Sequence, residues 1–431
     1  MTAEVRTPEP VPSAKKARTT ARTTSARHHR RSGPFVLVAL SLAVGTMGAT
    51  LSSPLYPLYE LAWDMPHATT TAVHVVYMAG VLVAFLFLGG LTDRFGPVAV
   101  VRSGLLAACL GLVACAFARN AIDLGAGRAL IGLAAGTIST AATIGLLRLD
   151  PAGGRVGSVV ASVVTMVGFG SGPLLGGLLA QFAPAPLVTP YVVVAVACAG
   201  LAAALLSAVK PASDEDAGYL SFRPNLRAPS IEVRATFVAA TLSTFVAYAL
   251  FTLLAALAPA FLAGLLPWHG PAVSGTAVAA VLACSALVQL PARRLAPRRT
   301  IPLATILLAA GALLLAAAMQ LCSGALFALA DLTIGMGHGL SFMSGLVLIR
   351  TTSSDESHTG ILSLYLALCY LGAIVPVLLI GRLADKVGLP LTVTAFCLGF
   401  ASLLPVSLVL ILGSGARLFI ASALGDRDRS G

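Results

Sequence analysis

Twelve stretches of mostly apolar residues dominate this chain, near 34–58, 69–90, 97–118, 121–147, 156–181, 187–209, 235–264, 271–291, 301–321, 324–349, 359–381 and 389–413. A helix rises about 1.5 Å per residue, so about 20 such residues cross the hydrocarbon core of a bilayer. Within that core every backbone polar group must be satisfied internally, which leaves helices or closed barrels. Barrel strands would show alternation over about 10 residues. These stretches are instead long and rich in Leu, Ala and Gly, so they predict helices. The third and fourth runs nearly touch, as do the ninth and tenth, but each pair is too long for one helix. Composition agrees: of 431 residues, 57% are hydrophobic and 10% charged, whereas a soluble domain carries about a quarter charged residues. Mean hydropathy is +0.91. The predicted fold class is all-α integral membrane, with twelve transmembrane helices in two pseudo-symmetric six-helix bundles.

Cationic residues set the expected orientation, because cytoplasmic loops retain Lys and Arg. With the N-terminus inside, Arg6, Lys15, Lys16, Arg18, Arg22, Arg27, Arg30 and Arg31 lie in the cytoplasm, as do Arg94, Arg148, Arg234, Arg294 and Arg298 further on. Only Arg119, Arg382 and Lys386 fall on the outside. The net charge of +11 is therefore read as a topology signal, and no nucleic-acid partner is expected. The expected division is a disordered basic cytoplasmic tail over 1–33, a six-helix bundle over 34–209, a cytoplasmic linker over 210–234, a second bundle over 235–413, and a cytoplasmic tail over 414–431. The first run is too long for a signal-peptide core and is read as a retained helix. The seven cysteines form no C-x-x-C pair and read as packing residues. No metal-ligand cluster, nucleophile–base pair or phosphate-cradling loop appears, so neither an enzyme nor a cofactor is expected.

Internal repetition sharpens the reading. Gly89 to Gly96 reads G-G-L-T-D-R-F-G in a polar break after the second run. Gly381 to Gly388 reads G-R-L-A-D-K-V-G after the eleventh. Weaker relatives follow the fifth run (Gly176-Gly177-Leu178-Leu179-Ala180) and the eighth (Arg293-Arg294-Leu295-Ala296-Pro297-Arg298). The two halves also superpose at an offset near 203 residues, matching Pro57 with Pro259, Gly132 with Gly335, Gly136 with Gly339, and Pro173 with Pro376. A hinge in every three-span unit implies four units, successive ones inverted, which is a transporter architecture.

On these residues the chain resembles the major facilitator superfamily. Gly89, Leu91, Asp93, Arg94 and Gly96 match its signature after span 2, with Pro97 and Val98 replacing the usual basic pair. Arg128, Gly132 and Gly136 match its span-4 pattern, with Ile131 replacing a common Gln. Gly168, Gly172, Pro173, Gly176 and Gly177 match its span-5 pattern, with Val159 replacing an earlier Gly. The resemblance implies a conformational gating motif at Gly89, Asp93, Arg94, Gly96, Gly381 and Asp385. It implies a helix-packing seam at Gly168, Gly172, Pro173, Gly176 and Gly177. The span-5 pattern is associated with antiporters, which tilts the direction toward efflux. The implied setting is a multi-pass monomer in a bacterial cytoplasmic (inner) membrane, taking a small-molecule substrate and protons. An uptake symporter or facilitator is one alternative, and a non-transporting membrane sensor another.

Ionisable residues inside spans are costly unless they meet a partner or a water-filled cavity. Arg128 in span 4 and Asp331 in span 10 are 203 residues apart, at equivalent positions of the two halves. His338 follows Asp331 by nearly two helical turns, on one face. The expectation is that Arg128, Asp331 and His338 border a central cavity, with Asp331 a protonatable switch that pairs with Arg128. The alternative is a fixed Arg–Asp pair with a packing histidine. Thr46, Thr50, Ser53, Thr241, Ser243, Thr244, Tyr77, Tyr248, Gln289, Tyr365 and Tyr370 are further polar candidates, and His74 is expected at the outer interface.

Overall fold

The computed structural model describes residues 33–150, 155–208, 226–265, 270–292, 294–352 and 355–425. Among the described residues, twelve helices are long and apolar enough to cross a membrane. They are α1 (Gly33–Trp63), α2 (His67–Phe87), α3 (Pro97–Ala116), α4 (Ala121–Leu149), α5 (Arg155–Phe182), α6 (Thr189–Ala208), α7 (Ile231–Leu265), α8 (Pro271–Ala292), α9 (Pro297–Gln320), α10 (Gly324–Thr352), α11 (Asp355–Val387) and α12 (Leu389–Gly425). Most of the expected N-terminal tail and most of the linker lie outside the described residues. At the other end, α12 continues to Gly425, so the segment expected as a tail from 414 begins as helix.

Local chemistry explains the boundaries. Pro97, Pro271 and Pro297 start their helices, where a missing N–H costs nothing. Asn120 caps α4 by accepting hydrogen bonds from the amides of Ile122 and Asp123, both at 2.9 Å. The two repeated motifs differ from expectation, because neither is an open hinge. Gly90–Phe95 forms a short helix, and Gly381 and Asp385 lie within the last turns of α11. Each motif ends instead at a glycine with positive φ, +76° at Gly96 and +89° at Gly388. There a Cβ would be strained, and the next helix starts one residue later.

Packing separates two bundles. In the first, α4 lies against α2 and α3, and α3 against α6. In the second, α9 lies against α10 and α12, and α7 against α10, α11 and α12. Each bundle has its own apolar core, and the two meet between α2 and α11, where Tyr370 and Ala373 join the first core and Val75 the second. The bundles meet along two seams, α2 with α11 and α5 with α8. The face on which α1 begins is called here the terminal face, and the opposite face the distal face.

Candidate functional site

Arg128 is 1% exposed. Its Nη1 donates to the carbonyl of Ala49 at 2.7 Å and to Ser52 Oγ at 3.3 Å. Its guanidinium lies 4.5 Å from the ring centroid of Tyr77. Ser52 in turn accepts from the hydroxyl of Tyr191 at 3.0 Å, and the hydroxyls of Tyr191 and Tyr59 are 3.3 Å apart. The cage sits where α1 breaks into a 3-10 turn at Ser53–Leu55, which contains Pro54. Carbonyls near such a break need other donors. Among the described residues Arg128 makes no ion pair, and its Nε has no partner. The expected pairing with Asp331 is therefore not formed. Each charge sits within its own bundle, and Arg128 is held by a carbonyl, a hydroxyl and a ring face instead.

Asp331 is 4% exposed, and its Oδ1 has no hydrogen-bond partner among the described residues. One turn further along α10, Gly335 abuts Val281 and Cys284 of α8. His338, 8% exposed, bonds Ser285 of α8 through Nδ1 at 3.0 Å. Around it stand rings that sequence reasoning did not assemble. Tyr248 and Phe251 of α7 each lie 5.4 Å from the His338 ring. Tyr248 also meets Phe342 at 6.1 Å and Tyr370 of α11 at 5.7 Å, and Tyr370 meets Phe85 of α2 at 5.9 Å. Phe342 is four residues after His338, and Phe251 three after Tyr248. That spacing marks one helix face and was legible in the sequence. Thr252 reaches Met78 Sδ across the bundles at 3.9 Å. Arg128, Asp331 and His338 are thus all buried, and no hydrogen bond or ion pair joins them among the described residues.

Most hydroxyl candidates serve structure. Thr46 bonds Leu42, Thr50 bonds Phe169, and Ser53 donates to Ala255 across the bundles. Ser243 and Thr244 bond Ser341 and Tyr365. Gln289 donates to Ser285. Thr241 Oγ1 has no partner among the described residues. His74 is buried rather than interfacial, with Nδ1 3.3 Å from the Tyr56 hydroxyl.

The gating residues divide by face. On the distal face, the carboxylate of Asp385 accepts from the amides of His67 and Ala68, both at 2.9 Å. A negative charge thereby caps the positive end of α2 from the other bundle. Glu60 flanks this cap, accepting from Thr70 at 2.6 Å and lying 3.2 Å from His67 Nδ1. The second seam repeats the device: Gln181, at the end of α5, accepts from the amide of Ala272, at the start of α8, at 3.0 Å. Asp385 follows Gln181 by 204 residues, and Ala272 follows Ala68 by 204. The sequence carried this signal, because Gln181 holds the Asp position of the weaker repeat after span 5. On the terminal face, Asp93 and Arg94 are exposed, and their short helix packs chiefly on α3 of its own bundle.

The α5 motif serves two contacts. Gly168, Gly172 and Gly176 face α1, where a Cβ would collide with Thr46, Thr50 and the Leu51 carbonyl. Pro173 and Gly177 face α8, touching Gly275 and Pro271. The glycine row is therefore packing within one bundle, and the inter-bundle seam rests on Pro173 and Gly177.

Comparison with known proteins supplies a family. The model described as Major Facilitator Superfamily matches residues 38–377. No curated protein matches the chain by sequence. Solved structures share the fold. The nucleoside transporter NupG has a TM-score of 0.66 at 13% identity, over 90% of this chain and 99% of that one. A bacterial homologue of the human lysosomal transporter Spinster, in an inward-facing and unoccupied conformation, has 0.64 at 15%, over 91% and 97%. A POT family transporter in complex with a thioalcohol-conjugated peptide has 0.71 at 11%, over 89% and 96%. All are membrane transporters, not enzymes.

Proposed function

Because the chain belongs to the major facilitator superfamily, a family of membrane transporters that carry small molecules, we propose that it is a secondary active transporter. In this reading it couples proton movement to efflux of a small organic solute by alternating access. The observation that carries the proton coupling is Asp331. It is a buried carboxyl in a spanning helix, and among the described residues it has no ion-pair partner and one oxygen without a hydrogen bond. A charge so placed is expensive, whereas the neutral acid is not. Protonation and release at Asp331 would then track which face the centre opens to. His338, two turns away on the same helix, relays the proton or contacts the solute. Arg128 holds a fixed positive charge in the opposite bundle.

Access would be set by the capped seams. Asp385 and Gln181 hold the distal face shut. Asp93, exposed on the terminal face and without an ion pair among the described residues, is placed to cap an opposing helix when that face, cytoplasmic in the expected orientation, closes. The efflux direction rests on the α5 pattern of Gly168, Gly172, Pro173, Gly176 and Gly177. The deciding measurement is solute flux in everted and right-side-out vesicles under an imposed pH gradient. Efflux predicts solute accumulation in everted vesicles that are acidic inside. Accumulation only in right-side-out vesicles that are acidic outside would replace this reading with uptake.

A further inference from the structure

A crevice of about 470 Å³ opens beside the α2–α11 seam on the distal side. Ala72, Val73 and Val76 of α2 and Ile122 and Gly125 of α4 form its walls, and Arg382 of α11 stands at its edge. Val76 and Ile122 are large apolar residues exposed on the surface of spanning helices, so the crevice faces lipid. From Thr69 to Val76 it descends about 10 Å at the helical rise. Arg382 is exposed and forms no ion pair among the described residues. It is also one of the few cations on the face that positive-inside loops leave poor in Lys and Arg. Lys386 follows it by one turn of α11, and Arg119 lies two residues before the start of α4.

We propose that this crevice is a site for an anionic phospholipid of the distal leaflet. One acyl chain lies along the small residues of α2 and α4, and the headgroup phosphate rests on Arg382. Shape and charge select this occupant. The groove is open to the bilayer along its length and apolar at depth, and its single facing cation stands at the end nearest the membrane surface. Guanidinium pairs with phosphate through parallel N–H donors. The site has a conformational consequence, because its walls come from one bundle and its cation from the other. The seam that Asp385 caps holds these parts together, so a bound lipid favours the closed distal face. Opening that face would carry Arg382 away from the phosphate.

The test uses the purified full chain, titrated by native mass spectrometry with phosphatidylglycerol and, separately, phosphatidylcholine. Arg382→Gln removes the charge. Gly125→Leu fills the groove at a position where an added Cβ meets nothing within 4 Å. Wild type is expected to prefer phosphatidylglycerol, Arg382→Gln to bind it about fivefold more weakly, and Gly125→Leu to lose both lipids. In nanodiscs, phosphatidylglycerol should shorten the distance between labels at the distal ends of the two bundles in wild type but not in Arg382→Gln. Equal binding of the two lipids by wild type, or wild-type retention by both variants, overturns the proposal.

Discussion

Arg128 and Asp331 illustrate how burial and pairing separate at the level of single side chains. Their matching positions suggested a bridge across the pseudo-twofold axis. Geometry assigns them to different environments: Arg128 is bound by Ala49, Ser52 and the Tyr77 face, and Asp331 keeps an unpartnered oxygen. Two substitutions separate the roles. Asp331→Asn should abolish gradient-driven transport while sparing solute exchange, measured in proteoliposomes with and without a pH gradient. Retained active transport would remove Asp331 from the coupling. Arg128→Lys keeps the charge but loses the planar fork and ring stacking. A desolvated cation–π contact is worth about 2 kcal/mol, so this variant should show a clearly lowered thermal transition in detergent. An unchanged transition would mean that charge alone suffices at this position.

Among helices, the decisive contacts are ends capping ends. Asp385 caps α2 and Gln181 caps α8, which adds polar ties between the distal ends of the two bundles to the apolar contact of Val75 with the second core. Replacing Asp385 by Asn removes the charge but keeps the shape. The loss of about 1 kcal/mol expected at a helix N-terminus should move the population roughly fivefold toward the distal-open state. Labels on the distal ends of α2 and α11, read by distance spectroscopy, would register it. Unchanged distances would show that Asp385 is not a latch. The α5 glycines act differently, as spacers against α1. Gly172→Ala would press a Cβ onto Thr50 and the Met47 carbonyl. Overpacking of this kind costs about 1–3 kcal/mol, so the protein should melt earlier while its distal seam stays closed.

For the molecule as a whole, these seams fix one conformation, closed at the distal face. Cysteines placed at Thr71 and Gly381, which face one another across the α2–α11 seam, should cross-link readily and arrest transport until reduced. Cross-linking without arrest would mean that this seam does not move in turnover. The twelve spans and the family followed from the sequence itself, because apolar length and a repeated glycine–acid motif are local properties that the bilayer converts directly into helices. Even the Gln181 cap is encoded there, one residue after Gly176-Gly177-Leu178-Leu179-Ala180. Which charges meet could not be read the same way. The register of Arg128 against α1 depends on where Pro54 breaks that helix, and the surroundings of His338 depend on rings from α7, α10 and α11. Such contacts join residues far apart in the chain through the packing of rigid rods, and only the folded arrangement decides them.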